Sequence, residues 1–462
     1  KPGKIDPPET RKQKGRRPKT ASNPRPSCEA SINLRGSTLK WTPTERPFPL
    51  PDYVLDAIQR LTDAGFIAYL VGGSVRDFLL GRESKDHDLA TDATPDRICD
   101  LFPSSITVGK AFGVIKVPTH DQENLPVVLE IATFRKDLDY GDHRHPDGVE
   151  FSGPEEDARR RDFTVNGLFY DPKRGAILDT VGGMADLQAR LIRAIGDPEK
   201  RFAEDALRLL RAVRFATTLD FSIEPATAKA IKKHHPSLSL ISMERVHEEV
   251  RIAWASPQPN KMLDGMADFG LLDTILPEVA ALKGADLPLW SQLLTIFKSL
   301  RDGNPMLVWT ALLYVLSPVE IRAIFTRFRF SKSEEATVLA LLLDLKQIAS
   351  APRMREADLQ RLVRKPSFRD TLKLSDAIAV AENVGFDSIA YCRKKWSEFQ
   401  NLPLDHPSRA KWVTGQDLIA AGVKPGPGFS KILRDLEDLA LEGKLQNRDQ
   451  ALAALSDRLR SQ

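Results

Sequence analysis

Asp86 and Asp88 are separated by one residue, and on an extended strand a two-residue period puts both carboxylates on one face, where they can share divalent cations. Phosphoryl transfer to a hydroxyl asks for such a pair, because metal ions must clamp the attacking and leaving oxygens. Glu130 closes the apolar run Val127 to Leu129, so a neighbouring strand could bring a third carboxylate beside them. A DxD alone is common in surface loops and calcium sites. Here it follows closely on Gly72-Gly73-Ser74-Val75-Arg76-Asp77. Glycines between a strand and a helix let backbone N–H groups approach a phosphate, the helix start favours its charge, and Arg76 adds a charge-assisted contact. The same run also serves as a plain βα turn. In combination, the turn and the carboxylate pair describe a triphosphate and its metals.

The elements that must hold these groups follow from periodicity. Val54, Leu55, Ile58 and Leu61 recur at helical spacing between Pro51 and Leu61, Gly65 breaks the pattern, and Phe66 to Val71 reads as a buried strand. The glycine turn comes next, then a helix over Val75 to Leu80 that Gly81 stops, then the segment with the two aspartates. His87, between them, points by alternation to the opposite face and reads as structural. Further strands are expected at Gly113 to Val117, Val127 to Thr133 and Ala176 to Asp179, with a polar loop from Lys136 to Gly148. After about Asp186 amphipathic helices take over, punctuated by Asp197-Pro198, His235-Pro236 and Asn304-Pro305. The expected fold class is α+β: a small head with a mixed sheet, followed by a long all-α remainder.

With 462 residues and 42% hydrophobic content, the chain can bury substantial cores, which excludes disorder throughout. No run approaches the roughly 20 apolar residues of a membrane helix and no signal-peptide core follows the charged start, so a soluble cytoplasmic protein is expected. Cys28, Cys99 and Cys392 lie far apart, which suggests neither a disulfide framework nor a zinc site. A net charge of +4 permits a polyanionic partner without requiring one. Basic residues collect at the start, from Lys1 and Lys4 through Arg16 and Arg17 to Arg25, among prolines. Residues 1–47 are therefore expected to be a disordered basic arm, serving either as an electrostatic tether for RNA or as a solvated tail.

The stretch LVGGSVRDFLLGRESKDHDLATDATP, which carries the turn and both aspartates, resembles the class II CCA-adding tRNA nucleotidyltransferases and bacterial poly(A) polymerases of the polymerase-β-like superfamily. LEIATFR, ending at Arg135, resembles their third-carboxylate segment, RRDFTVNG from Arg160 their ribose-sensing motif, and RFAEDALRLLRAVRF from Arg201 their base-selecting motif. The resemblance covers roughly Tyr69 to Val250. It implies a nucleotidyltransferase head (48–188), a helical neck that selects the nucleotide (189–256), a helical body (257–395) and a tail that meets tRNA (396–462), the all-α part being elongated. It also implies that Asp86 and Asp88 hold two Mg²⁺ ions and that Glu130 positions or helps deprotonate the attacking hydroxyl. Gly73, Arg76, Arg161, Arg211 and Arg214 would line the nucleotide pocket. Asp162 and Asn166 would sit by the ribose, where a bond to the 2′-hydroxyl rejects deoxynucleotides.

On one continuous helix Glu204 and Asp205 would lie four and three residues before Arg208, a spacing that often means only an exposed ion pair. As a base reader, Arg208 would donate to ring nitrogen or carbonyl acceptors while Asp205 accepts from the exocyclic amine of cytosine or adenine, with Glu204 bracing Arg208. Uracil and guanine present the opposite pattern. The implied substrates are CTP and ATP, and the implied partner is the tRNA 3′ end and acceptor stem, with no obligate protein partner and no membrane.

The implied reaction is template-independent addition of C, C and A, with release of pyrophosphate. An A-adding enzyme or a poly(A) polymerase shares this chemistry. Val108 to Gly113 carries one basic residue, Lys110, where poly(A) polymerases usually have two, and Arg135 to Phe151 resembles the flexible loop needed for the switch to ATP. The first argues for a tRNA enzyme, and the second, which CCA-adding and A-adding enzymes share, disfavours CC-only addition. Other classes are a catalytically inactive RNA-binding protein, against which the intact acidic and basic residues speak, and a small-molecule transferase, against which the long helical body speaks. Val413 to Leu445 resembles the tail of bacterial tRNA nucleotidyltransferases, and Trp290, Trp309 and Trp396 read as packing residues.

Overall fold

Alternating apolar residues build a mixed seven-stranded sheet in the computed structural model, which describes residues 39–84, 86–137, 148–285, 287–301, 303–402 and 412–460. In chain order the strands are β1 (Trp41–Pro43), β2 (Ala68–Val71), β3 (Asp88–Thr91), β4 (Val114–His120), β5 (Pro126–Thr133), a separate β6/β7 ribbon (Arg135–Asp137 and Val149–Phe151), β8 (Leu168–Asp171) and β9 (Ala176–Asp179). Their order across the sheet is β1-β9-β8-β2-β3-β5-β4. β3 and β5 run parallel, with Asp88 opposite Glu130. On one face Leu70, Leu89, Leu129, Ile131 and Ile115 pack with Val54, Ile58 and Leu61 of α1 (Asp52–Asp63). The helix α2 (Gly73–Leu79) follows β2 directly, and α3 (Pro95–Leu101) adds Ile98 to the same core. On the other face Tyr69, Val71, Ala90, Phe134 and Phe169 form a smaller aromatic cluster.

Helices follow: α4 (Pro154–Arg159), α5 (Gly183–Ala189), α6 (Pro198–Glu204), α7 (Leu207–Leu219), α8 (Pro225–His234) and α9 (Met243–Trp254). They continue from Pro259–Asp268 to Arg448–Arg460. One main core gathers buried residues from Phe48 beside the sheet to Ile378, so the sheet and the helices after it share apolar packing. Trp290 and Trp309 are buried in it, as packing residues should be.

Three expectations need correction. The basic arm was expected to reach residue 47, yet β1 pairs antiparallel with β9, and Trp41 packs edge-on against Tyr69 at 5.2 Å. Phe48 stacks on Tyr170 at 3.7 Å. Aromatic burial outweighs local polarity there. The remaining arm, residues 1–38, lies outside the described residues, as do residues 138–147 of the expected loop. The ends of that loop are not irregular, because Arg135 to Asp137 pairs with Val149 to Phe151. Finally, the expected break at residue 396 falls inside the helix Asp387–Gln400, whose Trp396 and Phe399 pack onto the cluster around Cys392. The tail has separate small cores around Leu418, Ile432 and Leu436 and around Ala440 and Leu445.

Candidate active site

A cavity of about 540 Å³ opens between the end of β2, the start of β3 and helices α7 and α9. That is ample for a nucleotide. At one end Gly72 leaves β2 with φ 74°, and a Cβ there would also come within 3.2 Å of the Arg161 guanidinium. Conformation and close approach together demand glycine. Gly73 opens α2, and Arg76 donates twice to Asp77 at 2.9 Å and through Nη1 to the Asn166 side-chain oxygen at 2.6 Å. Asp86 lies just before β3 and Asp88 begins it, and both line this cavity. His87 faces another cavity, where its ring and the Tyr53 hydroxyl lie 3.2 Å apart.

The Asp88 carboxyl is pushed up to about 6, first by desolvation and then by the negative charge of Glu130, with Asp86 adding to it. A raised carboxyl favours the fold below the ordinary carboxylate range, and that advantage is lost as pH rises through about 6. In chelator-treated protein, Asp88→Asn is therefore expected to raise the thermal midpoint at pH 8 and leave it unchanged at pH 4. Equal effects at both pH values in thermal melts would contradict the electrostatic origin. Glu130 stands beside Asp88 in register but does not line the cavity, and its carboxylate pairs with Lys116 at 2.7 Å.

At the other end the structure departs from the single helix expected through Glu204, Asp205 and Arg208. α6 ends at Glu204, Asp205 is extended (φ −144°, ψ 103°), and α7 starts at Leu207. At the break Asp205 meets Arg245 on α9, which holds it at 2.9 Å, while its other oxygen accepts from the Leu207 amide at 3.0 Å. Glu204 still braces Arg208 at 2.7 Å and also pairs with Arg201 at 2.5 Å. Asp205, Arg208 and Arg245 line the cavity, and Glu204 stands behind it.

Asp162 and Asn166, expected beside a ribose, line the cavity as a hub. Asp162 accepts from the Phe163 amide at 2.8 Å, from Asn166 at 3.0 Å and from Arg211 at 2.6 Å. Burial opposes its ionisation, but the Arg211 charge and these bonds hold the carboxyl well below the usual range. Arg211 reaches Glu249 at 3.0 Å, and Arg214 pairs with the other Glu249 oxygen. Arg214 does not line the cavity; it lies 4.1 Å from the Phe215 ring centre.

Several supporting residues escaped the sequence reading. Asp157 of α4 is fully buried and grips Arg160 at 2.8 Å and Arg161 at 3.1 Å. Its spacing three and four residues before these arginines on a helix was a usable signal. Arg201 donates to the Arg160 and Arg161 carbonyls, the latter at 2.6 Å. Arg245 and Glu249 had no local signal, because their partners lie 35 or more residues away.

The CCA-adding enzyme of Levilactobacillus brevis is 36% identical over 398 residues, covering 86% of this chain and 95% of that protein. The chain belongs to the CCA-adding enzyme and poly(A) polymerase family. The CCA-adding enzyme of Pediococcus pentosaceus is similar at 34% identity, covering 86% of this chain and 94% of its own. Among solved structures, the Bacillus stearothermophilus CCA-adding enzyme in complex with CTP matches with a TM-score of 0.69 and 29% identity, over 88% of this chain and 97% of that one. The family's domain models match in order: the Poly A polymerase head domain over residues 68–193, the probable RNA and SrmB-binding site of polymerase A over 220–283, and tRNA nucleotidyltransferase domain 2 over 304–455. The head model therefore includes both Asp86 and Asp88, whereas Asp205 and Arg208 fall between the first two models.

Among the described residues no three His, Cys, Asp or Glu side chains are gathered closely enough to hold a metal ion. Magnesium does not require that, because it commonly takes one or two protein carboxylates and completes its shell with water and substrate phosphates. An all-oxygen pair, with one carboxyl raised by desolvation and then by its acidic neighbours, fits such an ion. No described helix is long and apolar enough to cross a membrane.

Proposed function

We propose that this protein adds C, C and A to the 3′ end of tRNA from CTP and ATP without a nucleic-acid template, in the cytoplasm and with Mg²⁺. The observation that carries the reading is that Asp86 and Asp88, the Gly72–Arg76 turn, and Asp205 with Arg208 all line one cavity. The name shared by the similar proteins, and the CTP held by one of them, support the choice of reaction and substrate.

The RNA 3′-oxygen attacks the α-phosphorus of the bound nucleotide in line, a P–O bond forms, the bond to pyrophosphate breaks, and the hydroxyl proton is released. Bound Mg²⁺, held by Asp86 and Asp88, would supply charge neutralisation at the attacking and leaving oxygens. The Gly73 amide, with Arg76 and Arg161, orients the triphosphate, the Gly72 amide being engaged by the Leu168 carbonyl. Glu130, one strand over, receives or orients the hydroxyl proton, a role that requires its carboxylate to leave Lys116. Asp205 and Arg208 read the base edge.

Supplying tRNA that ends at the discriminator base, tRNA ending in CC, and oligo(A), each with CTP, ATP or both, tests the assignment. CCA addition followed by termination is expected, and long A tails on oligo(A) would overturn it. Asp205→Ala removes one acceptor for the exocyclic amine, worth about 1.5–3 kcal/mol for a bond to a charged group, so CTP preference over UTP should fall roughly tenfold to a hundredfold. Competition assays read that ratio; an unchanged ratio removes Asp205 from base selection.

A further inference from the structure

Beyond the nucleotide cavity, the row of side chains beginning at Asp88 continues along the sheet. Glu130 lies opposite Asp88, Lys116 opposite Glu130, and Ile106 bridges to Lys116, so all four share one face. Two residues along the strands, Val128 and Pro118 are paired on the same face. The reverse face is sealed by the core residues Leu129, Ile131 and Ile115. This face is open: Val128 is 55% and Ile106 44% exposed, and the Lys116 and Glu130 side chains are each 43% exposed. Lys116 and Pro118 lie on the edge strand β4, and at Val128 β5 is paired with β4 alone, β3 joining it only from Glu130 onward.

We propose that this open face seats the last nucleotides of the acceptor RNA, with Lys116 taking a backbone phosphate and Val128, Pro118 and Ile106 meeting ribose and base surfaces. The inference rests on the nucleotidyl transfer proposed above and adds where the primer strand lies. In-line displacement puts the attacking hydroxyl opposite the leaving pyrophosphate. The cavity is lined by Asp88 but not by Glu130, so the triphosphate lies on one side of Asp88 and the Glu130–Lys116 row on the other. A strand delivering its hydroxyl from that side must cross the row. The Lys116 ammonium, 2.7 Å from Glu130 before RNA binds, passes to the phosphate as that carboxylate turns to the attacking hydroxyl. An aliphatic surface is indifferent to base identity, which suits a terminus whose base changes with each addition.

Steady-state kinetics with the full chain, CC-ended tRNA and ATP test this. Lys116→Met should raise the KM for tRNA about fivefold to tenfold, leave the KM for ATP unchanged, and reduce the steepness of salt dependence by about one phosphate contact. Val128→Asp should give the same RNA-selective rise, and Lys116→Arg should restore the tRNA KM. Both side chains are exposed, so an unchanged KM for ATP reports an intact fold. A tRNA KM within twofold of the parent in both Lys116→Met and Val128→Asp, or equal rises for tRNA and ATP, overturns the proposal. Failure of the parent protein to extend any tRNA would instead refute the underlying reaction.

Discussion

Asp86→Ala or Asp88→Ala should abolish nucleotide incorporation on every primer, by on the order of a thousandfold or more, while tRNA retention stays near that of the parent. Both carboxylates line the cavity beside the glycine turn, and both residues are exposed, so truncation removes charge without opening a void in the core. For Asp88 the fold even works against the ionised form in the absence of metal, since desolvation and Glu130 push its carboxyl up to about 6. Loss of the carboxylate should therefore cost activity and not stability. Single-turnover extension of labelled tRNA, run beside a thermal melt, separates the two. A large fall in melting temperature with proportionate loss of tRNA binding would make the pair structural.

The second large effect concerns folding and centres on Asp157. This carboxylate has no solvent exposure and accepts from Arg160, from Arg161 and, at 3.3 Å, from the Arg135 amide. Asp157→Ala leaves two largely buried guanidinium groups without their counter-charge, which should cost about 3–5 kcal/mol. Burial alone would raise the Asp157 carboxyl, but Arg160 and Arg161 hold it below the usual range. A depressed carboxyl contributes stability above its unfolded value, and that stability is lost as pH falls through the folded one. The gap between Asp157→Ala and the parent should accordingly be full at pH 7 and shrink only below about pH 4. Denaturant titrations at pH 7 and pH 3 measure it. A gap below about 1 kcal/mol at pH 7 would show that the arginines find other partners. Because the Arg161 guanidinium also sits against Gly72, weaker nucleotide binding should accompany the loss.

How much could be read in advance depended on the range of the interaction. The glycine turn and the spacing of Asp86 and Asp88 are local features, and both carboxylates line one cavity although only Asp88 lies on a strand. His87 turns away from that cavity. The Glu204-Asp205-Arg208 spacing was misleading in one respect: it suggested a continuous helix, whereas the chain kinks at Asp205 and gives that carboxylate to Arg245. Nothing near Asp205 announces the kink, because the arginine that takes it lies 40 residues on. β1 was missed for a similar reason. Three residues at the end of a polar stretch carry no periodicity, and their strand state comes from the β9 edge and the Tyr69 ring.

Sequence alone was enough to establish the family, the α+β class, the acidic pair and the arginine-rich helix, since each is written in residue type and short-range spacing. Tertiary structure alone decided which charges meet: Glu130 with Lys116, Asp162 with Arg211, Glu249 with Arg211 and Arg214, and Asp205 with Arg245. It also decided which sheet face stays open. A buried charge needs a partner from wherever the chain can bring one, and that choice depends on the packing of whole elements, which no local pattern encodes.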